Sequence, residues 1–172
     1  MGNGVPVSAL VGKRDIMEKC PDIFFSLTFA GETLSLAAAK AVMEVIDEEN
    51  VPQVVEKNGQ YLMDEVNSQI KNYDLQDVVA IDGFPCRSVM IFRDNQDIPA
   101  TDTRTYWIQE LTKKGILTAG SNIISFAHQK LEIDYLLTRY DQVFADIKSS
   151  LSDRSLPEKL QCPSAKFSAR EL

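Results

Sequence analysis

A chain of 172 residues, 44% hydrophobic and 25% charged, has ordinary globular composition, with room for one domain or for one domain plus part of another. A formal net charge of -7 leaves no basic surface to neutralise phosphates, which argues against a nucleic-acid partner. No apolar run approaches bilayer-spanning length, and glycines and a proline stand where a signal peptide carries an apolar helix, so a cytoplasmic location without membrane contact is the expectation.

In chain order, Gly2-Asn3-Gly4-Val5-Pro6 reads as a tight turn, with glycines for positive φ and Pro6 fixing the exit. Val5 to Val11 reads as a short strand broken by Gly12, and Arg14 to Lys19 as one or two helical turns before Pro21. Glu32 to Asp47 is the clearest helix. One stripe holds Leu34, Ala38, Ala41, Val42 and Val45; a second holds Leu36, Ala39, Met43 and Ile46; Lys40, Glu44 and Asp47 are left for solvent. A helix apolar on two faces packs between two things. Alanines at 37, 38, 39 and 41 permit close backbone approach, so one of those things is expected to be another subunit. The acidic run Asp47-Glu48-Glu49 reads as a solvated helix end.

Pro52 suits the start of a further helix to about Lys71, with Val55, Leu62, Val66 and Ile70 in one stripe and Gly59 marking a close crossing. Val78 to Ile81 and Ser88 to Phe92 read as strands around Asp82-Gly83-Phe84-Pro85. Thr103 to Lys114 returns to helix, stopped by Gly115, and Ile116 to Ala119 and Ile123 to Phe126 read as strands around Gly120-Ser121-Asn122. Ile133, Leu136, Leu137, Tyr140, Phe144, Ile147 and Leu151 form the stripe of a closing amphipathic helix. From Ser152 the chain turns polar and reads as a mobile tail. The segment from 77 to 151 is thus a small α+β unit, helices layered on a largely antiparallel sheet.

Few residues suggest chemistry. Cys20, Cys86 and Cys162 form no CxxC pair, and a metal site would have to recruit the single histidine, His128, so disulfides and a metal are not expected. Ser26-Leu27-Thr28-Phe29-Ala30-Gly31 places hydroxyls and a glycine before a strong helix, where unpaired N–H groups and the helix dipole favour an anion such as phosphate. Serine and threonine are equally at home there as loop and capping residues. His128 reads as a helix-start or packing residue; Arg87 and Arg93 flank a strand, where an arginine could hold a substrate carboxylate bidentately but a solvent-facing position explains each equally well.

Read together, the glycine-rich turn, Val7 to Gly12 and Thr28-Phe29-Ala30-Gly31 with its alanine-rich helix resemble the class III, fold type I, pyridoxal-phosphate aminotransferases. Within them the chain is similar to the branch containing glutamate-1-semialdehyde 2,1-aminomutase, whose relatives also show Ala-His before acidic residues, as at Ala127-His128. The resemblance implies pyridoxal 5'-phosphate as cofactor, an amino or keto small-molecule substrate, and a homodimer in which the Thr28 hydroxyl, with Gly31 beside it, reaches the cofactor phosphate of the partner subunit. It places the lysine that forms the Schiff base about two positions before Met1, so residues 1–172 alone are expected to be inactive. It also implies that 1–31 belongs to the large cofactor domain, 32–76 to connecting and interface helices, and 77–151 to the small C-terminal domain, with 152–172 as tail. Glu32-Thr33 departs from the Asn-Pro that often follows this glycine in the family. The rival reading is a non-enzymatic α+β module that dimerises through the alanine-rich helix.

Overall fold

The computed structural model describes residues 1–24, 28, 29 and 31–164, so Ser26 and the chain from 165 onward lie outside the described residues. The chain divides into two compact units, Met1–Pro52 and Gln53–Leu172.

The first unit opens with the expected turn. The Val5 amide donates to the Gly2 carbonyl at 3.2 Å, with Asn3 at φ 45° and Gly4 at φ 103° between them. Both central residues are left-handed, a conformation asparagine and glycine adopt most readily. Gly2 is buried, and a Cβ there would lie 2.1 Å from the Val5 carbonyl oxygen. The strand expected at Val5 to Val11 is not formed. No described strand lies beside it to satisfy its amides and carbonyls, and apolar alternation alone does not make a ladder. Helix α1 follows at Arg14–Met17, then a 3-10 turn at Cys20–Asp22 and helix α2 at Thr33–Glu48, after which Asn50 turns at φ 51°.

The two predicted stripes of α2 are not what the helix covers. Ser35 and Ala39 are buried, and Ala38, Val42 and Ile46 half-buried, a single line at i, i+3, i+4, i+7 and i+11 drawn from both expected stripes. Leu34 (70% exposed), Leu36 (51%), Met43 (50%) and Val45 (46%) stay open.

Helix α3, Val51–Asn72, begins at the end of the first unit and runs on in the second. Its expected stripe is observed: Gly59, Leu62, Val66 and Ile70 are buried. Strands β1 (Val79–Phe84) and β2 (Arg87–Phe92) pair antiparallel, and β2 pairs antiparallel with β3 (Ser121–Ile123). The hairpin turns at Pro85-Cys86, three residues beyond the start of the expected loop, because Gly83 at φ 114° lies within β1 opposite Ser88. Val79, Ile81, Ser88, Met90 and Asn122 form the buried face; Phe84, Val89 and Ile123 lie exposed on the other. Helix α4 occupies Ala100–Lys113, with Gly115 at φ 83° beyond its end, and α5 occupies Lys130–Ser152.

Ile116 to Ala119 forms no strand, and the expected turn at Ser121-Asn122 is itself β3. Local apolarity there reflects packing of Ile116 against the core, and the ladder instead pairs Ser121 with Val89 and Asn122 with Ser88. The core runs from Leu62 on α3 through the sheet to Trp107 and Leu111 on α4 and Tyr140, Val143, Phe144 and Ile147 on α5. Phe92, Trp107, Tyr140 and Phe144 make a chain of tilted and edge-on ring contacts at 5.6, 5.3 and 6.0 Å. The Tyr140 hydroxyl donates to Asn122 Oδ1 at 2.8 Å, and Asn122 Nδ2 to Ser88 Oγ at 3.3 Å, so α5, β3 and β2 share one buried polar link. Burial pushes the Tyr140 phenol well above its ordinary value.

A mobile tail from Ser152 does not describe the chain up to Ser164. Leu156 is fully buried, a 3-10 turn spans Pro157–Lys159, Gln109 bonds both Lys159 and Gln161, and Ser164 donates to Asp102.

Candidate functional site

The first unit contains a groove of about 860 Å³ lined by the segment Pro6 to Leu10, by Thr28 and Phe29, and by Glu32, Ser35 and Leu36 at the start of α2. The two sequence blocks singled out for their spacing, the post-turn segment and the threonine loop, therefore face one cavity. Thr28 is exposed, and Phe29 beside it is 74% exposed. Gly31 has open space where a Cβ would stand, with nothing within 4 Å. Ser8, Thr28 and Ser35 supply three hydroxyls to the wall, and Val7, Leu10, Phe29 and Leu36 supply apolar surface.

The residue that sequence reasoning undervalued is Glu32. It serves as the N-cap of α2: Oε1 accepts from the Leu34 amide at 2.8 Å and Oε2 from the Ser35 amide at 2.6 Å, while its carbonyl accepts from the Leu36 amide at 3.2 Å. Hydrogen bonding from the Ser35 side chain, then from the Ser35 and Leu34 amides, holds its carboxyl below the ordinary glutamate value of 4.5. The unpaired N–H groups expected to attract an anion are thus largely taken by a side chain of the helix's own start. Asp, Asn, Ser and Thr are the usual caps, which is why a glutamate here did not signal one. Among the described groove-lining residues Glu32 is the one charged group, and neither lysine nor arginine is present.

The other candidates lie in the second unit. His128 is exposed before α5, with Nδ1 3.0 Å from the donating Ser125 amide and 3.1 Å from Ser125 Oγ, while its carbonyl accepts from Asn58 Nδ2 at 3.0 Å. The helix itself is started by a reciprocal pair: the Gln129 amide donates to Glu132 Oε2 at 3.1 Å, and the Gln129 side chain is engaged at the third helical residue. That is the structural helix-start role, although His128 also lines a cavity of about 340 Å³ with Glu132, Asn122 and Tyr140. Arg87 is exposed at the start of β2 and Arg93 exposed just after it, where its guanidinium donates to the Gln76 carbonyl at 3.3 Å. Cys20, Cys86 and Cys162 are free thiols. Among the described residues no helix is long and apolar enough to cross a membrane, and no group of histidine, cysteine and carboxylates has the proximity to hold a metal ion.

Comparison with known proteins places this geometry. The family model for aminotransferase class-III matches residues 1–141. The chain is 35% identical over 75 residues to a leucine/methionine racemase of Thermococcus litoralis, covering 44% of this chain and 17% of that protein. It is 28% identical over 126 residues to an acetylornithine aminotransferase of Bacillus anthracis (72% and 30%), and 25% identical over 161 residues to a glutamate-1-semialdehyde 2,1-aminomutase of Syntrophobacter fumaroxidans (86% and 37%). The fold is similar to that of the FumI protein of Sphingopyxis sp. MTA144 in its PLP internal aldimine form, with TM-score 0.73 and 20% identity over 88% of this chain and 36% of that one. The chain thus spans between 17% and 37% of the length of these relatives. With the family model covering both the groove and most of the second unit, the chain belongs to the class III aminotransferases, a pyridoxal-phosphate family of fold type I.

Proposed function

We propose that this chain supplies the C-terminal part of a pyridoxal-phosphate-dependent enzyme that transfers or shifts an amino group on a small amino or keto substrate, and that Thr28 contacts the cofactor phosphate of the partner subunit in a homodimer. In this reading residues 1–31 belong with the cofactor domain, 32–76 connect and form interface, and 77–151 build the small domain. The observation that carries it is the convergence of Thr28 and the segment after the Gly2–Pro6 turn around one groove. When bound, pyridoxal phosphate supplies an electron sink for charge developing at the substrate carbon.

The residues present fit the phosphate in part. Thr28 is exposed at the groove, where its hydroxyl would donate to a phosphate oxygen, and the open space beside Gly31 would let the group approach. The start of α2 does not add to this, since Glu32 holds two of its amides, and no cation among the described lining residues balances the phosphate charge. The balancing charge and the proton-transferring group then come from other parts of the assembled enzyme, so residues 1–172 alone bind no cofactor stoichiometrically and turn over no amino donor. The finer assignment to the aminomutase branch draws on Ala127-His128 and on the Syntrophobacter relative. A leucine/methionine racemase and acetylornithine aminotransferases stand beside it, so the reaction class extends to transamination.

The test uses the assembled enzyme. Thr28→Ala removes one charge-assisted hydrogen bond to phosphate and is expected to weaken cofactor binding by about 1.5–3 kcal/mol. In mixed dimers the loss appears at the site of the subunit that retains Thr28. Unchanged cofactor affinity in both the mutant homodimer and the mixed dimer overturns the assignment. The second reading, a non-enzymatic module of the same ancestry, is favoured by one observation: the second unit buries its own core from α3 to Leu156.

A further inference from the structure

We propose that Glu32 sets the anion preference of this groove: by capping α2 from within, it removes the helix start from phosphate recognition and leaves the Thr28 loop to meet phosphate through its hydroxyl. The inference rests on the reading that this groove faces the cofactor phosphate. It concerns a residue that reading does not use.

Three observations converge on Glu32. First, a helix start attracts anions because its leading amides lack backbone acceptors and carry the positive end of the helix dipole. In α2 the amides of Leu34 and Ser35 are bonded one to each carboxylate oxygen, at 2.8 and 2.6 Å, and the next amide, Leu36, already donates to the Glu32 carbonyl. An incoming phosphate oxygen would have to displace a carboxylate held by two short bonds. Second, Glu32 lines the same groove as Thr28, so an anion that enters comes close to a negatively charged residue. Third, the lining residues described offer no lysine or arginine to offset that charge, and the remaining polar groups, Ser8, Thr28 and Ser35, are neutral. The cap therefore acts twice, by occupancy and by repulsion. A groove built this way tolerates a phosphate held mainly from elsewhere and disfavours a free one.

The experiment titrates inorganic phosphate into the 172-residue chain and follows the backbone amide resonances of Leu34 and Ser35 in wild type, Glu32→Gln and Glu32→Ala. In wild type these two amides are expected to be insensitive to phosphate. Glu32→Gln keeps an acceptor at the cap without its charge, and phosphate affinity should rise about two- to fivefold, the scale of one anion at a helix start. Glu32→Ala frees both amides and should show the larger gain, with phosphate-dependent shifts at Leu34 and Ser35. If the alanine variant loses helical shifts along α2, the glutamine variant carries the comparison. Equal phosphate affinity in wild type and Glu32→Gln, or no phosphate response in any variant, overturns the proposal. Loss of cofactor affinity on Thr28→Ala in the assembled enzyme is read separately, so either idea can fail while the other stands.

Discussion

At Gly59 the missing side chain is a packing requirement. A Cβ there would lie 1.9 Å from the carbonyl oxygen of Pro85 at the hairpin tip, and that neighbour is backbone, which cannot swing aside as a side chain can. Gly59→Ala gains about 1 kcal/mol of helix propensity, but forcing α3 from the hairpin costs about 1–3 kcal/mol, so we expect a net loss in urea denaturation. A stabilised variant would show that α3 and the turn are free to separate. The glycine was legible in the sequence because it takes a stripe position among Val55, Leu62 and Val66; what it crosses was not, since Pro85 lies 26 positions away and only the fold brings it there. Glu32 makes the complementary case. Its titration sign follows from its caps: a carboxyl held below 4.5 stabilises the start of α2 above the unfolded glutamate value and loses that contribution as pH falls through its lowered value. The Leu34 and Ser35 amides should accordingly lose exchange protection on acidification into that range, and protection unchanged through it would show that the carboxylate is not what holds them.

Among the elements, the helices and the two hairpin strands were readable and the shortest strand was not. Helices α3 and α5 carry their burial periodicity over 22 and 23 residues, long enough for the stripe to declare itself. Strand β3 is three residues long, Ser-Asn-Ile, and its buried member is an asparagine held by Tyr140 and Ser88, so no hydrophobic pattern announces it. The tail shows the same limit. Leu156 sits in a polar run yet is fully buried, and the residues after it are tied to Gln109 and Asp102 on α4. Leu156→Ala should therefore cost about 2–5 kcal/mol, as for a leucine in a packed core. A cost near zero by thermal or urea unfolding would return residues 153–164 to the status of a loose tail.

Over the whole molecule the two units differ in how much apolar surface they bury. Among the described residues Ala39 is the one buried hydrophobic before Pro52, whereas the core of the second unit reaches from Leu62 to Leu156 and includes Trp107, Tyr140 and Phe144. Hydrogen exchange on the 172-residue chain should find its slowest amides in α3, β1, β2, α4 and α5, and faster ones through residues 1–24. Strong, uniform protection from Met1 onward would favour the self-contained module over a part of a larger enzyme. What the sequence by itself determined is the helices, the family-like turn and threonine loop, and the acidic surface, because each is written in local pattern or in residue types at fixed spacing. The tertiary structure alone decided which stripe of α2 is covered, where the hairpin turns, that Leu156 belongs to the core, and that Glu32 occupies the helix start beside Thr28. Those outcomes depend on which distant groups meet, and chain-local periodicity carries no information about partners that folding brings together.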